Sequence, residues 1–126
     1  MTGLLDASIL VGLEQDRLSP AVLPAEASIC VVTLEELWLG VLRADDAVAP
    51  RRRETYRLAI ESFVAREIDV VVAQMSAVLR AEGRSRGRRY RLADSLIGAT
   101  ARVHGLTLFT QDEGMTGMLG VDVQLV

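Results

Sequence analysis

Four acidic residues, Asp6, Glu36, Asp94 and Asp112, each stand where an apolar run gives way to a helix or turn pattern. If the runs are parallel strands, their carboxyl ends share one sheet edge and the four side chains gather there. Asp6, Glu36 and Asp112 would each follow a strand. Asp94 would lie in the first turn of a helix, where the positive end of the helix dipole favours an acid. Carboxylates held that close repel one another, and some take up protons unless a cation neutralises them. Oxygen ligands without a Cys or His cluster suit hard Mg²⁺ or Mn²⁺ better than Zn²⁺. Such a cation activates water and stabilises charge on a phosphate and its leaving oxygen, which is the chemistry of phosphodiester hydrolysis. One metal with several waters and a pair of metals fit this ligand set equally. Each acid taken singly also has a structural reading: Asp6 and Asp94 as helix-start acids, Glu36 as half of a capping box, Asp112 as a turn former. Their convergence on one edge favours the site.

The elements that must position these acids follow from periodicity. Residues 3–5 read as a short buried strand, and Ser8 caps a helix reaching Glu14, with Ile9, Leu10 and Leu13 on one side. Residues 28–32 form a β-branched second strand, after which Thr33 caps a helix to about Arg43 with Glu36 at its third position. A helix spans 50–66, with Tyr56, Ile60, Phe63 and Val64 as its apolar stripe. A third strand at 68–72, a helix at 74–82, a Gly and Arg loop through Arg89 and a helix at 92–103 that stops at Gly105 come next. Short strands at 106–109 and 121–126 complete the pattern. Strands alternating with helices predict an α/β fold, a three-layer sandwich around a mostly parallel central sheet.

Composition bounds the answer further. A chain of 126 residues that is 50% hydrophobic fits one domain, residues 1–126, with no repeat or linker to divide it. The apolar opening is too short to span a bilayer and lacks the basic start of a signal peptide, so the expected address is the cytoplasm. One Cys allows no internal disulfide. The net charge of −3 argues against a protein that coats nucleic acid through an overall positive field. All 14 basic residues are nevertheless Arg, with clusters at 51–53 and 80–91 that provide local phosphate-binding surface.

Four segments in order, Leu4-Leu5-Asp6-Ala7-Ser8, Thr33-Leu34-Glu35-Glu36-Leu37 with Gly40, Ala93-Asp94-Ser95-Leu96-Ile97-Gly98-Ala99-Thr100-Ala101, and Thr110-Gln111-Asp112, make the chain resemble a PIN domain of the VapC toxin type. The resemblance runs from the first strand to the last. It implies a metal-dependent ribonuclease paired with a small antitoxin that blocks the acidic cleft, and a homodimer or a toxin–antitoxin hetero-oligomer. By matching motifs, Asp6 and Asp94 would be the principal metal ligands, Glu36 would complete the cluster directly or through water, and Asp112 would hold a second metal or an outer water. Ser8 and Thr110 would support them by hydrogen bonding. Asp112 ranks below Asp6 and Asp94, because Glu113, Gly114 and Met115 follow it where many relatives carry another acid and an aromatic residue.

Other features divide between functional and structural readings. The arginines at 80–91 lead into the Asp94 helix and either grip RNA phosphates or form a solvated loop. Those at 51–53 read as a solvated face or an antitoxin contact. Trp38 reads first as core and second as an interface anchor. His104, at a helix end, favours the helix dipole rather than base catalysis, and Cys30 reads as a buried, inert thiol. A phosphoaspartyl enzyme is disfavoured, since the chain has no Lys and Ser8 stands where a second Asp would be needed. A PIN-like module that binds RNA or a partner without cutting is the remaining alternative, and an acidic cleft lacking metal would repel phosphate.

Overall fold

The computed structural model describes residues 2–126. Strands β1 (Thr2–Leu5), β2 (Glu26–Cys30), β3 (Val64–Arg66), β4 (Thr107–Thr110) and β5 (Val123–Leu125) form one sheet in the order β3-β2-β1-β4-β5. Every pairing is parallel. The central strands carry apolar residues in succession because both faces of the sheet are covered. Leu4, Cys30 and Leu108 point into a core closed by α4 (Val70–Ser85) and α5 (Leu92–His104). Their neighbours Leu5, Ile29 and Phe109 point the other way, against α1 (Ala7–Glu14), α2 (Val31–Arg43) and α3 (Ala49–Ser62). The side-chain alternation of a strand thus builds the expected three layers.

The boundaries depart from expectation in several places. The third strand is Val64–Arg66, not 68–72: the β-branched run Val70-Val71-Val72 opens α4 instead, because the Asp69 carboxylate accepts the Val72 N–H at 2.9 Å and caps that helix. Helix α3 accordingly ends at Ser62 rather than 66, and α4 continues to Ser85, shortening the Arg loop. Helix α2 starts at Val31, directly after β2, so neither Thr33 nor Glu36 holds its expected capping position. Asp6, not Ser8, caps α1. The end of α5 is as expected: Gly105 adopts φ +65, and the next amide, Leu106 N–H, returns to Ala101 O at 2.8 Å.

Topology decides where the chemistry goes. From the central strand β1 the chain adds β2 and β3 on one side, then returns to add β4 and β5 on the other. Strand order therefore reverses between β1 and β4, and the crevice at their carboxyl ends is the expected ligand position in such a sheet. Asp6 immediately follows β1, and its backbone N–H is tied to Phe109 O of β4 at 3.0 Å. No helix among the described residues is long and apolar enough to cross a membrane.

Candidate active site

Asp6 is held from three directions. Its Oδ1 accepts the Ala7 N–H at 2.8 Å, and its Oδ2 accepts the Ser8 hydroxyl at 3.0 Å and the Thr110 hydroxyl at 2.8 Å. Each hydroxyl has one proton to give, and backbone amides keep both aimed at the carboxylate: Gln111 N–H donates to Ser8 Oγ and Asp112 N–H to Thr110 Oγ1, both at 3.0 Å. The turn after β4 thus fixes a carboxylate that follows β1. Asp6 is only 7% exposed, and burial raises its pKa despite these three hydrogen bonds, with the nearby Asp94 charge adding to the rise.

Asp94 is the third residue of α5 and is also buried. The Arg91 guanidinium straddles it, donating from Nε to Oδ2 and from Nη2 to Oδ1, each at 3.1 Å. Arg91 holds its proton more tightly as a result, first through these bonds and then through the fields of Asp94, Glu36 and Asp112. A cation from the chain itself therefore sits at the mouth of the acidic group.

Glu36 lies in the second turn of α2, and because that helix begins early its carboxylate is not used for capping. Its Oε1 is buried with no hydrogen-bond partner. Burial, then the charges of Asp6 and Asp94, push its pKa up to about 7, with Arg91 opposing. The buried Thr33 hydroxyl, also without a partner, stands one turn earlier on α2. A cavity of about 50 Å³ lies on the other flank, bordered by Glu36, Glu14 and Arg52.

Asp112 stands apart from these three. It is exposed, and its Oδ1 accepts the Gly114 N–H at 2.8 Å, capping the 3-10 turn Glu113–Met115. Its carboxylate acts on the cluster through its field on Arg91, while its backbone N–H supports Thr110, and Glu113 is exposed as well. The structure therefore gathers Asp6, Glu36 and Asp94 and leaves Asp112 at the rim, where its hydrogen bond is that of a turn former.

Among the described residues no three Asp, Glu, His or Cys side chains already stand at the spacing of a closed metal-binding set. The chemistry of the donors still fits a divalent cation. Burial, with the charge of neighbouring carboxylates added, raises the pKa of both Asp6 and Glu36, one carboxylate oxygen is orphaned, and every available donor is a hard oxygen. Remaining sequence readings divide. Cys30 is buried beside Thr100 Oγ1 with its thiol pKa raised by burial, and His104 is exposed at the end of α5. Trp38 is not core: it is 42% exposed and packs on Tyr56 of α3 at a centroid distance of 5.0 Å.

Residues 4–118 match the family model described as PIN domain, and Ribonuclease VapC4 of Mycobacterium tuberculosis is 39% identical over 122 residues, 95% of this chain and 93% of that protein. The chain belongs to the PIN-domain family, in its VapC branch. Ribonuclease VapC5 of the same organism is 33% identical to this PIN domain over 119 residues, 94% of this chain and 88% of that protein. The solved VapBC-5 structure from Mycobacterium tuberculosis, a member of the VapBC family of toxin–antitoxin systems, superposes with a TM-score of 0.86 at 31% identity. That superposition covers 99% of this chain and 98% of the other. The Arg91–Asp94 pair is the feature that sequence reasoning missed within this domain. Its signal was the spacing Arg91-Leu92-Ala93-Asp94, since residues three apart at a helix start can meet.

Proposed function

We propose that this PIN domain, spanning the whole chain, is a divalent-metal-dependent endoribonuclease and the toxin of a toxin–antitoxin pair. The observation that carries the reading is the orphaned, buried Glu36 oxygen facing the charges of Asp6 and Asp94 at the point where strand order reverses. A fold keeps such a repulsive, incompletely satisfied group where function requires it. The ribonuclease names of the VapC relatives and the toxin–antitoxin description of VapBC-5 support the same reading.

Asp6, Glu36 and Asp94 would hold Mg²⁺ or Mn²⁺, which supplies Lewis acidity toward the phosphate and the attacking water. Ser8 and Thr110 keep Asp6 in one rotamer, and their hydroxyl donation favours its ionised form against burial. The N-terminus of α5 places Asp94 opposite. Arg91 neutralises Asp94 in the metal-free chain, and its side chain is 71% exposed, so it is free to leave the carboxylate for a substrate phosphate. Asp112 would contribute from the rim to an outer water or a second cation.

The partner in this reading is a small antitoxin protein. The half-exposed Trp38 on α2, with the exposed Leu42 on the same helix, provides an apolar anchor for an antitoxin helix or a second copy of the chain. The cytoplasm, where cellular RNA lies, is the compartment the reading requires. Incubating the purified chain with cellular RNA in Mn²⁺ and in chelator tests it. Cleavage only in Mn²⁺ is expected, whereas metal-independent binding without any cleavage would make the chain a binding module.

A further inference from the structure

The arginines between Arg80 and Arg91 separate in the structure into two groups with different duties. Arg86 pairs with Glu82 and donates to Gly117 O at 3.0 Å. Arg88 donates to Thr116 O at 2.8 Å and Gly114 O at 3.2 Å, with its guanidinium 4.8 Å from the centroid of the Tyr90 ring. Arg91 is on Asp94. These three fasten the α4–α5 connection to the turn after β4 and to the acidic cluster.

Arg80, Arg84 and Arg89 do none of this. All three are exposed, and among the described residues none takes part in a salt bridge or a side-chain hydrogen bond. Together with Arg88 they line one open groove of about 490 Å³, which Ala77, Ala81 and Tyr90 complete. Arg80 and Arg84 are four residues apart on α4, so they rise along the groove by about 6 Å, a step comparable with that between successive phosphates of an extended strand. Gly83 allows Tyr90 to lie against the helix and close the groove, since a Cβ there would meet the Tyr90 ring at 2.6 Å.

The groove borders the segment that carries Arg91. Residues 88–91 are irregular and end extended at Arg91, with Tyr90 buried and Arg88 over its ring, while Arg89 and Arg91 are exposed. Arg89 stands two residues before Arg91, whose guanidinium touches Asp94. On a chain of net charge −3, three guanidinium groups without ion-pair partners in one groove, beside the segment that carries Arg91, suit a polyanion. The groove lining contains no large aliphatic side chain, so an amphipathic peptide would find no anchor there.

We propose that the Arg80–Arg84–Arg89 groove is the track for the RNA strand beyond the scissile phosphate, each arginine taking a backbone phosphate without reading a base. This rests on the ribonuclease reading and extends it to substrate length and salt dependence. The test compares the wild type with the triple variant Arg80→Ala, Arg84→Ala, Arg89→Ala and with its triple Lys counterpart. Binding of labelled single-stranded RNA is measured across salt concentrations in an Asp6→Asn background, and cleavage of long and very short RNAs is measured in the native background. The slope of log affinity against log salt should fall by about 2 in the Ala variant, near 0.7 per phosphate, and be restored by Lys. Cleavage of long RNA should fall about tenfold or more in kcat/KM, and cleavage of an RNA too short to reach the groove should not change. An unchanged slope and unchanged long-RNA cleavage in a variant cutting the short RNA normally would overturn the track and leave the ribonuclease reading standing. A wild type that cuts no RNA would instead overturn that reading. An unchanged slope with lost binding of a cognate antitoxin would assign the groove to a protein contact and overturn the RNA assignment.

Discussion

Glu36→Gln should make the metal-free protein more stable while removing its activity. Glu36 has its pKa raised from 4.5 to about 7 by burial and by the charges of Asp6 and Asp94. A rise of about 2.5 units at about 1.36 kcal/mol each sets an upper bound of about 3.4 kcal/mol on the penalty the folded state carries when the group is ionised. Solvent reaches part of this side chain, so about 1–2 kcal/mol is the working figure. A carboxyl pKa raised in the fold destabilises it fully above the folded value and ceases to do so below the unfolded one. The variant should therefore exceed the wild type by roughly 4–8 °C in Tm near pH 8 in chelator, a difference that fades toward pH 4.5. Gln keeps the shape, and its amide donates to the neighbouring carboxylates where Glu36 can only repel them. Saturating Mn²⁺ should reverse the order, since the wild type gains more from the cation than the variant. Thermal denaturation of both proteins at the two pH values, with and without Mn²⁺, measures this. Equal or lower stability of Glu36→Gln near pH 8 in chelator would refute the claim that this carboxylate is held against its neighbours' charge.

Three further perturbations bear on the same site. Arg91→Ala removes the only guanidinium bonded to Asp94 among the described residues and should cost about 1–3 kcal/mol in chelator, but little in Mn²⁺; denaturant titration in both buffers measures it. Thr110→Val deletes a donor to Asp6 and orphans the Asp112 amide; the Asp6 pKa should rise further, so the acid limb of the kcat/KM profile moves to higher pH, at a cost of about 1–3 kcal/mol in stability. Gly83→Ala drives a methyl group into the Tyr90 ring; a loss of about 1–3 kcal/mol is expected, with reduced cleavage because the segment carrying Arg91 must shift.

How much could be read from the sequence depended on whether local and tertiary signals agreed. Where they did, at β1 before Asp6, in α5 with Asp94 in its first turn and Gly105 at its end, the elements lie close to where periodicity put them. They disagreed at Val31-Val32 and at Val70-Val71-Val72. Those β-branched runs look like strand, but the first follows β2 without a linker and the second is capped by Asp69, so both become helix starts. That shift moved Glu36 from a capping role to an unpartnered position beside Asp6 and Asp94. Asp112 carries a turn signal and a site signal in one residue, and its turn hydrogen bond to Gly114 is the one the fold displays. The burial of one Glu36 oxygen was illegible, because it depends on contacts between segments far apart, whereas the grip of Arg91 on Asp94 left a signal in their spacing three apart at a helix start.

The central claim is that Asp6 and Asp94, with Glu36, form the centre that cuts RNA. It is tested most directly by cleavage of cellular RNA in Mn²⁺ by the purified wild type and by Asp6→Asn and Asp94→Asn, each shown to be folded by circular dichroism. The account predicts cleavage by the wild type and its loss, by about a hundredfold or more, in both variants. Full activity retained in both folded variants would contradict it.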